Sequence, residues 1–181
     1  MWYPASITTA AEAEPVTVEE MKRQLYIDHT DDDPMLTRLI SAARDHAERY
    51  CGSRFATQTL TIKCDAFSDM ARLPEGPIQS ITSIEYVDTD GADQTLSTDV
   101  YEVRADGLDT AIVRKHAQQW PTPQHGSRIT VTAVVGYATV PPAVKHAIIL
   151  FVSDSYETRV PAAMADWTTF DSLLCNFRMG A

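Results

Sequence analysis

The sequence predicts an α+β protein: a helical bundle of three main helices plus a short C-terminal helix, with an antiparallel β unit inserted between the second and third main helices. Three observations carry this. Apolar residues recur at three- and four-residue steps from Asp33 to Cys51, the period changes to two between Thr57 and Tyr137, and helical spacing returns after Val140. The organisation that follows is an N-terminal arm over 1–16, a helical pair over 17–52, a β insertion over 57–137, a third helix over 140–160 and a C-terminal segment over 161–181.

Taken in order, residues 1–16 carry Pro4 and Pro15 and read as an extended arm. Trp2 and Tyr3 at its tip either anchor on a neighbouring subunit or lie on their own core. Thr17-Val18-Glu19-Glu20 is a capping box, so a short helix runs to about Tyr26, with Val18, Met21 and Leu25 on one face. Asp28-His29-Thr30 leads into the long helix. Asp33 is its expected N-cap, Pro34 suits its first turn and Gly52 allows the left-handed stop. Leu36, Leu39, Ile40, Ala43, Ala47, Tyr50 and Cys51 form its apolar stripe, while Arg38, Asp45, Glu48 and Arg49 are expected in water.

Leu60, Ile62 and Cys64 then alternate with polar partners, the pattern of a half-buried strand. Leu73-Pro74-Glu75-Gly76-Pro77 punctuates the chain, and a strand from about Ser80 to Asp88 follows. Asp90-Gly91 reads as a hairpin tip, Ala105-Asp106-Gly107 as a second turn, and Arg128 to Tyr137, rich in β-branched residues, as the clearest strand. Val140-Pro141-Pro142 opens the last long helix, apolar nearly all round as far as Val152, and Pro161 ends it. Phe170, Leu173, Leu174 and Phe177 recur at steps of three and four, which gives a short C-terminal helix capped by Thr168 or Thr169.

A chain of 181 residues suffices for a proper core. Its net charge of −10 argues against gripping nucleic acid through phosphates, though it suits a wall past which DNA slides. The 3 cysteines, Cys51, Cys64 and Cys175, show no CxxC spacing, so neither a disulfide framework nor a zinc site is expected. The first residues lack a basic start and an apolar run, so no signal peptide is expected. No stretch suffices to span a bilayer, and a soluble protein made in the cytosol is the expectation.

The chemistry-bearing groups are sparse. Asp88-Thr89-Asp90-Gly91-Ala92-Asp93 partly resembles a calcium loop, but its glycine is misplaced for an EF-hand and no glutamate closes it; a plain acidic hairpin is the favoured reading. Asp31, Asp32 and Asp33 are explained by helix capping. The histidines show no ligand spacing, no serine sits in GxSxG, and no glycine-rich loop follows a strand. Arg114-Lys115-His116 is the one local basic cluster; a solvated strand end is the favoured reading and a contact to DNA phosphates the alternative. No catalytic residue, metal site or cofactor is expected.

The succession of motifs is informative. Pro15-Val16-Thr17-Val18-Glu19-Glu20-Met21-Lys22, the run from Asp33 through Ile40-Ser41-Ala42-Ala43-Arg44 to Tyr50-Cys51-Gly52, then Leu73-Pro74 with Gly76-Pro77-Ile78, Tyr86-Val87-Asp88 with Asp90-Gly91, Gly136-Tyr137 with Val140-Pro141, and Tyr156-Glu157 with Arg159 resemble, in that order, tailed-phage head–tail connector (adaptor) proteins, including those of gene transfer agents. The resemblance implies a ring, usually dodecameric, under the portal of a DNA-filled capsid, in the neck of a virion or virus-like particle made in the host cytoplasm. It implies as partners other copies of the chain, the portal protein, a tail-side stopper or neck protein, and DNA passing through without specific binding. The C-terminal segment would dock on the portal through Trp167, Phe170, Leu173, Leu174, Phe177 and Arg178. Trp2, Tyr3, Phe151 and Tyr156 would serve subunit interfaces or the core, and Arg114 and Lys115 are the candidate DNA-channel contacts. The alternative is a small metal-dependent hydrolase built on the Asp88–Asp93 loop.

Overall fold

The computed structural model describes residues 1–158 and 168–179. They form two units, one of Met1–Glu12 and Thr57–Gly136, the other of Ala13–Ala56 and the described residues from Tyr137 onward.

The first unit is a β structure. Strands β1 (Ser6–Thr9), β2 (Gln58–Cys64), β3 (Ile78–Val87) and β4 (Asp93–Thr95) join β7 (Ile129–Val135) in a five-stranded sheet of order β1-β2-β7-β3-β4. Every pairing in it is antiparallel. Strands β5 (Tyr101–Asp106) and β6 (Asp109–Arg114) make a separate antiparallel ribbon. The period-two reading holds best in β2 and β7. Leu60 pairs with Ala133 and Ile62 with Val131, all fully buried on one face, while alternate residues point outward. Phe67, Leu73, Ile84, Tyr101 and Ile112 complete this core, and Trp120 stacks on Phe67 at 5.1 Å and 4°. The glycine expected at each hairpin tip is there, with positive φ at Gly91 (83°) and Gly107 (64°).

The second unit is helical: α1 (Val18–Leu25), α2 (Asp33–Cys51), α3 (Pro142–Thr158) and α4 (Thr169–Leu174). Thr17 and Glu20 form the expected reciprocal capping box on α1. The N-cap of α2 is Asp32 rather than Asp33, and Asp33 instead accepts the Lys22 ammonium at 2.9 Å, tying α1 to α2. Met21, Leu36, Ile40, Ala43, Ala47, Val144, Ala147, Ile148, Val152 and Leu174 form a second core.

The expected helical bundle of three main helices plus a short C-terminal helix, with a β unit inserted between the second and third, is corrected by this architecture. The fold is α+β but β-rich, with a five-stranded sheet, a two-stranded ribbon and four helices among the described residues. Two physical facts account for the difference. The supposed arm carries Ser6-Ile7-Thr8-Thr9, whose β-branched residues add an edge strand to β2. And the β residues bury an apolar core of their own, so they are not an appendage to a bundle. Only α2 and α3 are long; α1 has 8 residues and α4 has 6.

Candidate functional site

The C-terminal segment is built onto α2 and α3. Thr168 caps α4 by accepting the Asp171 N–H, and the Asp171 carboxylate accepts the Thr168 N–H in return. The Thr168 hydroxyl, which also donates to that carboxylate, and then the Thr168 N–H hold the Asp171 carboxyl below its ordinary range. The Tyr50 hydroxyl also bonds Asp171, and that carboxylate raises the phenol above its usual value. Phe170 sits in an aromatic group with His46 (5.3 Å), Phe151 (5.6 Å) and Tyr50 (5.9 Å). Phe177 lies edge-on to Phe55 at 6.2 Å and to Tyr137 at 6.4 Å. Leu174 is fully buried, Leu173 is half-buried, and the exposed Arg178 holds its guanidinium 5.1 Å over the Tyr50 ring. The Ser53 hydroxyl donates to the Phe177 carbonyl at 3.0 Å.

Of the residues expected to contact the portal, Phe170, Leu173, Leu174, Phe177 and Arg178 are therefore brought together, and Trp167 lies outside the described residues. The apolar faces of α3 and the C-terminal segment are mostly occupied within the helical unit. Phe151 stacks on His46 at 5.1 Å, and the Tyr156 hydroxyl donates to Asp32 at 2.6 Å.

The remaining candidates are in the β unit. The Trp2 indole N–H is shared between the Asp69 and Arg72 carbonyls at 3.1 and 2.9 Å. The Tyr3 hydroxyl donates to Asp65, and the Arg128 guanidinium lies 3.9 Å over the Tyr3 ring. Both aromatics thus lie on their own β unit. Arg114 is exposed at the end of β6, while the Lys115 ammonium donates to the Thr98 carbonyl at 2.9 Å. In the Asp88–Asp93 loop, Asp88 accepts the Asp90 and Ala92 N–H groups, each at 2.9 Å, and the Gln94 amide at 2.9 Å. Those bonds, the Ala92 N–H foremost, depress its pKa, and its oxygens hold the hairpin in shape. Among the described residues no three His, Cys, Asp or Glu side chains are grouped to hold a metal, and no helix is long and apolar enough to cross a membrane.

One polar group was missed in the sequence. Glu48, expected in water, is 3% exposed: its carboxylate accepts the Phe55 and Ala56 N–H groups at 2.9 and 3.2 Å, with Arg44 at 3.4 Å and Arg54 at 3.5 Å. Arg44 in turn pairs with Glu14 at 2.7 Å. The signal available was its place beside Ala47 and Cys51, on the margin of the apolar stripe.

A sheet with a core of its own, and a helical unit whose C-terminal segment carries the aromatic cluster, define a small α+β protein. The head completion protein family matches residues 14–160, and the chain belongs to that family. Its role is structural, that of a head–tail connector. Among solved structures the fold is similar to a chain in the neck of an empty gene transfer agent particle computed with C6 symmetry, with TM-score 0.81, 17% identity and 99% of each chain covered. It is similar also to a chain in the virion of a native gene transfer agent particle (TM-score 0.81, 19% identity, 99% of each chain). A third match is a chain in the neck of a native particle computed with C12 symmetry (TM-score 0.76, 19% identity, 99% of each chain). No curated protein matches the chain.

Proposed function

We propose that the chain forms a ring in the neck of a virion or virus-like particle, extends the DNA channel below the portal and gives the tail-side neck protein a docking face. Membership of the head completion family is the observation that carries this reading, and the likeness of fold to neck chains computed with C6 and C12 symmetry supports it. The work is done by docking rather than by turnover. In this reading the helical unit builds the ring and the C-terminal segment meets the portal. The half-buried Phe170, Leu173 and Phe177 serve both purposes, packing inward while presenting an outer edge, and the exposed Arg178 lies at the segment's end. The β unit presents the tail-side face. A net charge of −10 suits a conduit that DNA traverses without adhering.

Electron microscopy of the chain mixed with its portal tests the proposal. The expected result is ring density on the portal for the native chain and weakened binding for Arg178→Glu, which leaves the fold intact because that side chain is exposed. A native chain that fails to decorate the portal refutes the reading.

A further inference from the structure

Helix α1 carries a stripe that its own unit does not use. Glu19 and Arg23, four residues apart, are exposed opposite the inward-facing Val18, Met21 and Leu25, and the exposed Tyr26 follows as the C-cap of the helix. Tyr26 is 96% exposed, the one large apolar side chain of the helical unit that is exposed among the described residues. It also ends α1 with φ 57° and ψ 38°, a left-handed conformation that disfavours any residue with a Cβ and is normally filled by glycine. A strained, exposed aromatic at a helix end costs stability and returns none to its own unit. Tyrosine and arginine together are the residues that most often anchor protein interfaces. Arg23 is exposed and forms no ion pair among the described residues.

Helix α3 carries the complement. Leu150, Asp154 and Glu157 follow at steps of four and three; Leu150 is half-buried yet stands outside the packed apolar cluster. Asp154 and Glu157 are exposed, and their carboxylates form no ion pair among the described residues. The opposite side of α3 is the one turned to α1 and the start of α2, since the Lys145 ammonium lies 3.9 Å from Glu20 and Tyr156 bonds Asp32. The two stripes therefore face away from each other and cannot meet within one copy. Between copies they can meet head to tail, the arrangement from which rings close.

We infer that Arg23 and Tyr26, at the C-terminal end of α1 in one copy, dock on the Leu150–Asp154–Glu157 stripe of the next. Tyr26 covers Leu150, and Arg23 pairs with the two carboxylates. This rests on the ring reading above and deepens it.

The test uses particles assembled with the full chain. With cysteines placed by Tyr26→Cys and Leu150→Cys, a short bis-maleimide links copies into a ladder, which either single variant alone does not give. Arg23→Asp and Asp154→Arg each weaken self-association by about tenfold or more, and the two together recover it. Tyr26→Gly keeps or raises Tm while weakening association by a similar factor, a divergence that a merely structural tyrosine would not produce. Copies that cross-link through general lysine chemistry but not through positions 26 and 150 overturn this docking and leave the ring standing. Copies that cross-link by no route overturn the ring and the docking together.

Discussion

The Cys51 carbonyl, at the last residue of α2, accepts the Met179 N–H at 2.7 Å. One turn away the Cys51 thiol donates to the Leu174 carbonyl at 3.7 Å. The last carbonyl of α2 is thus satisfied by the C-terminal segment, and the segment is a part of the helical fold.

Truncating Leu174 checks that relationship. The side chain is fully buried, and Leu174→Ala is expected to cost about 2–5 kcal/mol in urea or thermal unfolding through lost burial and the cavity left behind. Unchanged stability would mean the segment is merely draped on the surface.

Glu48 is the polar counterpart. Glu48→Ala leaves the Phe55 and Ala56 N–H groups without this acceptor and takes one carboxylate away from Arg44 and Arg54, for an expected loss of about 3–5 kcal/mol. Glu48→Gln, which keeps an oxygen for the two N–H groups, should lose less. Chemical denaturation of the three proteins measures the order.

Alkaline pH acts on the buried thiols. Burial pushes Cys51 and Cys64 up to about 11 from an ordinary value of 9.0. The folded state therefore holds protons that the unfolded chain gives up, so stability is complete below about pH 9 and falls as pH rises from 9 toward 11. The urea midpoint should decline over that window, and Cys51→Ala with Cys64→Ala should flatten the decline. Tyr137 and Tyr101, raised by burial, act in the same direction from their ordinary 10.0 upward.

At the acid end Asp171 is one of the groups that act. Its carboxyl is depressed below 3.8 by Thr168, so its contribution is present above that value and lost as pH falls through the depressed range. Thr168→Ala is expected to cost about 1 kcal/mol and to return the Asp171 titration toward 3.8, which an NMR titration reads directly.

How far the sequence disclosed this fold varies by element. β2 and β7, the capping box at Thr17 and the C-terminal amphipathic pattern are local signals, and each was legible. β1 was not: whether Ser6-Ile7-Thr8-Thr9 is an arm or a strand depends on a partner edge some fifty residues away, with Ile7 opposite Leu60. Glu48 was misplaced because a helix periodicity sees the stripe but not the loop at Phe55 whose N–H groups draw the carboxylate inward. The C-terminal aromatics, expected to face the portal, were legible as one face of a helix. That the same face would pack on His46, Tyr50 and Phe55 rested on tertiary contacts that spacing does not encode.

Calcium or manganese separates the connector from the metal-dependent alternative. Asp88 spends its oxygens on the Asp90 and Ala92 N–H groups and the Gln94 amide, so neither ion should raise Tm in a concentration-dependent way. A large rise would favour the hydrolase.

Electron microscopy of particles produced without this chain tests the connector role most directly. DNA-filled heads that lack tails, restored to tailed particles when the chain is supplied, are the predicted outcome. Fully tailed, DNA-retaining particles in its absence would contradict it.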